Sequence, residues 1–118
     1  MAKGKVLDPT TSREDDIASP GPDFGDLAGK TIGIRVDQMW RSWDWITEIW
    51  ADELQKAGAK VKFWRSGGRS GEEGERMERS LAEFLKTIDG AIVGLANCGS
   101  CTGWTVRDAL ASSAAGLP

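Results

Sequence analysis

Histidine and tyrosine are absent from this chain of 118 residues, and cysteine occurs only twice. Without histidine, the chain alone cannot form a Ser-His-Asp or Cys-His catalytic pair or a zinc site with imidazole ligands. Its apolar runs are far shorter than the ~18 residues of a membrane span, and the N-terminal stretch MAKGKVLDPTTSREDD lacks the apolar core of a secretory signal. We therefore expect a cytoplasmic protein without a membrane partner. Structural disulfides are rare in the cytoplasm.

A basic surface is also missing. The net charge is −3 and the isoelectric point is near 5.0, which argues against nucleic acid as a partner. The hydrophobic content of 40% and the charged content of 28% are typical of a soluble globular protein. The length suits one domain with a modest core.

Two regions differ in composition. Residues 1–29 contain Pro9, Pro20 and Pro22 among many small polar residues, and we interpret them as an extended N-terminal arm. Residues 30–118 alternate between apolar runs and helical periodicity in the order β-α-β-α-β-α. This order predicts an α/β domain with a parallel sheet in three layers, of flavodoxin-like type. The predicted strands are Thr31–Val36, Lys60–Trp64 and Ala91–Leu95.

The helices are predicted from apolar residues that recur every three or four positions. The first helix follows Ser42, a candidate N-cap, and ends before Gly58; Trp43, Ile46, Trp50, Leu54 and Ala57 share its apolar face. The second covers ERMERSLAEFLKTI, and the third covers about residues 102–115. The Gly-rich stretch SGGRSGEEGE, which precedes the second helix, lacks the Lys-Ser/Thr ending of a phosphate-binding loop.

Polar residues follow the first and third strands. In parallel sheets, ligands bind at the carboxyl ends of the strands. Asp37 and Gln38 end the first strand and residues 97–102 end the third, so both groups should lie on the same edge. Asp37 is a candidate to orient a substrate, although a solvated turn residue would also fit the pattern.

Both cysteines lie in NCGSC, where the third strand gives way to a helix. The unpaired amides and the dipole at a helix N-terminus favour an anion such as a thiolate. Cys98 is therefore the candidate nucleophile or redox atom, and Cys101, one turn on, could resolve an adduct on Cys98. Plain packing is an alternative, as is a metal bound by Cys98 and Cys101 together with ligands from a second chain.

The remaining candidates lie around this edge. Gly99 would allow close approach of a substrate, and Ser100 or Thr102 could cap the helix. Trp50 is expected in the core, whereas Trp40 and Trp43 are expected to line a pocket or an interface. The full set of substrate-binding or orienting candidates is Asn97, Gly99, Ser100, Thr102, Asp37, Gln38, Trp40, Trp43 and Trp104.

Three stretches resemble a known family. VLDPT, LAGKTIGI and above all DGAIVGLANCGSCTGWTVRDAL followed by GLP resemble the UGSC-motif proteins, which are small selenoprotein-like oxidoreductases. The resemblance is close over residues 88–118 and looser over 5–10 and 27–36. It implies that selenocysteine can occupy the position of Cys98. The turn is also similar to the selenocysteine-Gly-Thr-Cys-Thr turn in the selenoprotein B subunits of glycine, sarcosine and betaine reductases, and Cys-Thr-Gly is weakly similar to the aspartate/glutamate racemases.

The chain departs from the family in two places. The first strand is followed by DQMWRSWDW in place of an Asn/Gly/Lys-rich turn, which suggests an altered, aromatic-rich substrate pocket. The resemblance also implies further strands after GLP. We therefore expect a partner to complete the sheet, either a second subunit or the C-terminal half of a cleaved precursor.

These observations favour a subunit of a thiol-dependent oxidoreductase that acts on a small electrophilic substrate through Cys98, with help from Cys101, and without a cofactor of its own. One alternative is a subunit of a heteromeric hydrolase, lyase or metalloenzyme, with a site or a metal shared with the partner chain. The other is a racemase or lyase that uses cysteine as acid and base.

Overall fold

The structure is a computed structural model, and it describes residues 22–118. Most of the expected N-terminal arm, residues 1–21, therefore lies outside the described residues. In the described part, three strands alternate with three helices. The elements are β1 (Thr31–Val36), α1 (Arg41–Lys56), β2 (Lys60–Arg65), α2 (Gly71–Leu85), β3 (Gly90–Val93) and α3 (Gly99–Ala114).

The strands form a parallel sheet in the order β2-β1-β3. Ile34 of β1 lies opposite Phe63 of β2 and Ile92 of β3. The α/β class and the parallel sheet predicted from the sequence are confirmed, and the arrangement is compatible with a flavodoxin-like fold. Because β1 is central and adjacent to β3, the carboxyl ends of these two strands share one edge of the sheet.

The two faces of β1 explain how the helices are placed. Ile34 and Val36 are buried with Trp43 of α1, on one face of the sheet. On the other face, Gly33 lies so close to α2 and its following turn that a Cβ there would be 2.5 Å from the Ile88 side chain. Glycine at this position therefore allows the layer to approach the central strand.

A second apolar cluster lies beneath α2. Trp64, Leu81, Leu85 and Ile88 are buried together, and Met77 and Phe84 pack against them. The apolar face predicted for this helix is thus the face that contacts the sheet. The indole of Trp64 also donates a hydrogen bond to the Ser80 hydroxyl at 3.0 Å, so its polar atom is satisfied inside the cluster.

Several helix boundaries differ from the sequence-based expectation. The N-cap of α1 is Trp40, not Ser42, and its side chain makes no capping hydrogen bond to the described part of the chain. The third strand ends at Val93, two residues early, and α3 begins at Gly99. Gly58 follows α1 with φ +91°, as expected of a residue that ends a helix in the left-handed conformation. No helix among residues 22–118 has the length and apolar character needed to cross a membrane.

Candidate redox site at the start of helix α3

Cys98 and Cys101 form a disulfide across the first turn of α3, with their Cα atoms 5.2 Å apart. Cys98 is the N-cap residue, and its sulfur accepts a hydrogen bond from the backbone N–H of Cys101 at 3.2 Å. We expected Ser100 or Thr102 in this capping role; the sulfur atom fills it instead. The site therefore directs a helix N-terminal amide at the sulfur of Cys98, which favours negative charge on that atom after reduction.

The neighbouring residues hold the turn in place. The Thr102 hydroxyl and its backbone N–H both donate to the Cys98 carbonyl, at 2.8 and 2.9 Å. The Ser100 hydroxyl lies 3.5 Å from the Cys98 sulfur and is exposed. Asn97 and Gly99 are exposed too, and the space beside the Gly99 Cα is open. A small molecule can thus approach the cysteine turn from solvent.

The loop between β3 and Cys98 contains a strained residue. Leu95, two residues after β3, has φ +47°, in the left-handed region that non-glycine residues seldom adopt. Its side chain is half exposed, at 50%. Such strain is concentrated at functional sites.

Asp37 and Gln38 occupy the adjacent strand end. Asp37 is only 8% exposed. Its carboxylate accepts hydrogen bonds from the Gln38 backbone N–H at 2.8 Å and from Arg35 Nη1 at 3.4 Å. Asp37 is therefore a buried partner of Arg35. The alternative that it is a solvated turn residue is wrong. Gln38 is exposed.

The burial of two tryptophans differs from the prediction. Trp43 was expected at a pocket, but it is 2% exposed and its indole N–H donates to the Arg35 carbonyl at 3.2 Å. Trp50 was expected in the core, but it is 39% exposed and contacts Trp43 edge to face. Both residues lie on the same face of α1, and Trp43 packs against Ile34 and Val36, whereas Trp50, about two turns further along the helix, lies at the groove beside Ile92. Trp40 is half buried, and its indole nitrogen has no hydrogen-bond partner among residues 22–118.

A buried ion network joins α3 to the rest of the fold, and sequence reasoning missed it. Asp108 is 1% exposed and accepts from Arg35 Nε at 2.9 Å and from Arg69 Nη2 at 2.6 Å. Arg35 itself is 3% exposed in the central strand. The sequence did contain a signal for this network, since Arg35 lies between the apolar residues Ile34 and Val36 of a buried strand. A buried charge requires a partner of opposite charge.

Trp104 connects this network to the cysteine turn. It lies on α3 between Cys101 and Asp108, and all three are turned toward the protein, as their spacing of three or four residues requires. The Arg69 guanidinium lies over the Trp104 ring at 4.9 Å and over Trp64 at 5.7 Å. Trp104 is a predicted site residue outside the NCGSCT turn. It lies on the same helix as the turn and contacts Arg69 of the ion network.

The residues described here offer no complete metal site. Within residues 22–118, no three Cys, Asp or Glu side chains are grouped so that they could hold an ion. Cys98 and Cys101 would supply two ligands at most, and a tetrahedral zinc site needs four.

One protein-family model matches most of the chain, including the cysteine turn. The model of the UGSC family matches residues 5–118. The chain belongs to the UGSC family. This confirms the family resemblance noted from the sequence, and the matched residues include the Cys98-Gly-Ser-Cys101 turn. Comparisons with curated proteins and with solved structures gave no match.

Proposed function

We propose that this chain is a subunit of a thiol-dependent oxidoreductase in which Cys98 and Cys101 are the redox couple. The observation that carries the proposal is the disulfide at the N-terminus of α3, with the Cys101 amide donating to the Cys98 sulfur. A cysteine at such a position is activated as a thiolate. Membership of the UGSC family supports a selenoprotein-like redox role.

The chemistry follows from the two sulfurs. In the reduced state, the Cys98 thiolate attacks an electrophilic atom X of a substrate X–Y, and Y leaves with a proton as HY. Cys101 then attacks the Cys98 sulfur, X leaves as HX, and the disulfide forms. The substrate gains two electrons and the couple loses two. An external dithiol restores the reduced state by thiol–disulfide exchange.

Cys98 is assigned as the attacking sulfur and Cys101 as the resolving one. The Cys98 sulfur receives the helix amide and lies beside the exposed Ser100 hydroxyl. Cys101 lies on the face of α3 that carries the buried Asp108. This arrangement supports attack by Cys98 on a substrate from solvent.

The experiment uses 5,5′-dithiobis(2-nitrobenzoic acid) as an electrophilic disulfide. After reduction and removal of the reductant, the unchanged chain should release two thionitrobenzoate ions rapidly and return to the Cys98–Cys101 disulfide. Cys101→Ser should release one and retain a mixed disulfide at Cys98. Cys98→Ser should react slowly.

Labelling supplies an independent check. At pH 6, iodoacetamide should alkylate Cys98 of the reduced chain faster than Cys101, as read by peptide mass spectrometry. Equal and slow labelling of both cysteines, together with no intramolecular resolution of the mixed disulfide, would show that the pair is structural.

A partner chain is inferred from the side of the sheet next to β3. Among residues 22–118, β3 is an edge strand, and of its backbone groups that face away from β1 the Ala91 N–H is paired with the Pro118 carbonyl at 2.9 Å. Beside it, Leu27, Trp50, Leu54 and Ile92 line an apolar groove of about 310 Å³. Edge strands and apolar surfaces of this kind invite another chain. This supports a partner that covers β3 and completes the site.

A further inference from the structure

A groove between α2 and α3 lies outside the cysteine turn. Its volume is about 640 Å³, within the range of sites that hold small organic molecules. Small and apolar side chains from both helices form most of its wall: Leu81, Ala82, Leu85, Ala111, Ala114 and Ala115. Four alanines in this wall leave space that larger side chains would fill.

Positive charge borders this apolar wall. Arg69, Lys86 and Arg107 line the groove, with Glu78 and Asp108 as the acidic residues. Asp108 is already neutralised by Arg35 and Arg69, and Lys86 is paired with Glu83. Within residues 22–118, Arg107 forms no salt bridge, and its guanidinium lies over the Trp104 ring at 5.0 Å.

Arg69 adds a second donor that lacks a partner. Its side chain is only 8% exposed, and its Nε is buried without a hydrogen-bond partner in the described part of the chain. Its two terminal nitrogens both bind Asp108, at 3.3 and 2.6 Å. A buried donor of this kind costs free energy unless something accepts its hydrogen bond.

We propose that this groove binds an organic carboxylate with an apolar body, with the carboxylate at Arg107 and Arg69 and the body along the alanines. Arg107 of α3 and Ala115, the C-cap residue of this helix, are eight residues apart, which corresponds to about 12 Å at the rise of an α-helix. A medium-length alkyl or arylalkyl acid fits this length. Binding is independent of the thiol chemistry proposed above.

Octanoate is the probe, and calorimetric titration of the full chain is the measurement. Octanoate should bind as one molecule per chain, whereas octanol and octylammonium should bind at least about tenfold more weakly, because a hydrogen bond to a charged group contributes about 1.5–3 kcal/mol. Equal binding of the three compounds, or no binding of octanoate, would overturn the proposal.

Variants locate the site. Arg107→Gln should weaken octanoate binding at least about tenfold, while Arg76→Gln, an exposed position of α2 outside the groove, should leave it unchanged. Ala111→Leu should abolish binding by filling the groove, and circular dichroism checks that the variant is folded. Glu78→Gln should strengthen octanoate binding by removing a repulsive carboxylate from the groove, and weaker octanoate binding by this variant would refute the assigned position of the carboxylate.

Discussion

At the scale of single residues, the buried carboxylate of Asp108 depends on its two arginine partners. It accepts hydrogen bonds from two arginines while only 1% of its surface is exposed. Replacement by asparagine would leave Arg35 and Arg69 in a buried site with no full compensating charge beyond the weaker contact of Arg35 with Asp37 at 3.4 Å. Breaking one side of a buried ion pair costs about 3–5 kcal/mol.

We therefore expect Asp108→Asn to lower the free energy of unfolding by about 3 kcal/mol or more in urea denaturation. Asp52→Asn is the matched control, because Asp52 pairs with Lys56 on the surface of α1 with both side chains 63% exposed. Exposed pairs contribute about 0–1 kcal/mol. Similar small losses in both variants would mean that the network does not hold α3 to the sheet.

The same residues show where sequence reasoning stops. The position of both cysteines at a helix start could be predicted from NCGSC because the two residues and the helix start are local in sequence. The ion network was not, because Arg35 and Asp108 are 73 positions apart and their contact depends on where α3 lies over β1. Arg69 was equally hidden in a Gly-rich turn whose sequence suggests only flexibility.

At the scale of elements, the positions of strands and helices followed from periodicity, but the position of α1 along the sheet did not. Trp43 and Trp50 both belong to its apolar stripe, and seven residues separate them. Only the curvature and edge of a three-stranded sheet decide which one is covered. Trp43 lies against the central Ile34 and Val36, while Trp50 lies by the open groove beside β3.

Helix ends give a testable contrast between two glycines. Gly58 ends α1 at φ +91°, and a Cβ there would approach the Ala28 Cα to 3.3 Å. Gly103 lies inside α3, where a Cβ would meet no atom within 4 Å. Gly58→Ala should destabilise the fold by about 1–2 kcal/mol, and Gly103→Ala should stabilise it by up to about 1 kcal/mol.

Thermal unfolding followed by circular dichroism at 222 nm measures both changes. Opposite shifts in the midpoint are expected. A drop in both variants would indicate that Gly103 faces a surface covered in the assembled protein, and equal midpoints would contradict the assigned ends of α1.

At the scale of the whole molecule, exposed apolar side chains on α1 and β2 predict association. Ile49 and Trp45 of α1 are 64% and 58% exposed, and Phe63 of the other edge strand is 48% exposed. Apolar side chains at this density on a small domain favour contact with another chain. We expect light scattering after size exclusion to show a mass above that of one chain, or a heteromer when the chain is isolated from its source.

Ile49→Lys is the variant that tests this surface, with Leu110→Lys on α3 as its control, because both side chains are 64% exposed. The charge at position 49 should reduce the associated fraction, since burying an unpaired ammonium is costly. A monodisperse, fully active single chain would contradict the prediction of a partner.

The short span of the Cys98–Cys101 link has a consequence for how the chain tolerates a change of oxidation state. The bond closes a loop of only four residues, from Cys98 to Cys101. In the chain-entropy treatment, a loop of this size restricts the unfolded ensemble by only about 2 kcal/mol, compared with about 4.7 kcal/mol for a loop of about 100 residues. Opening the link therefore removes little conformational restriction from the unfolded chain, so we expect the domain to stay folded in both the dithiol and the disulfide state.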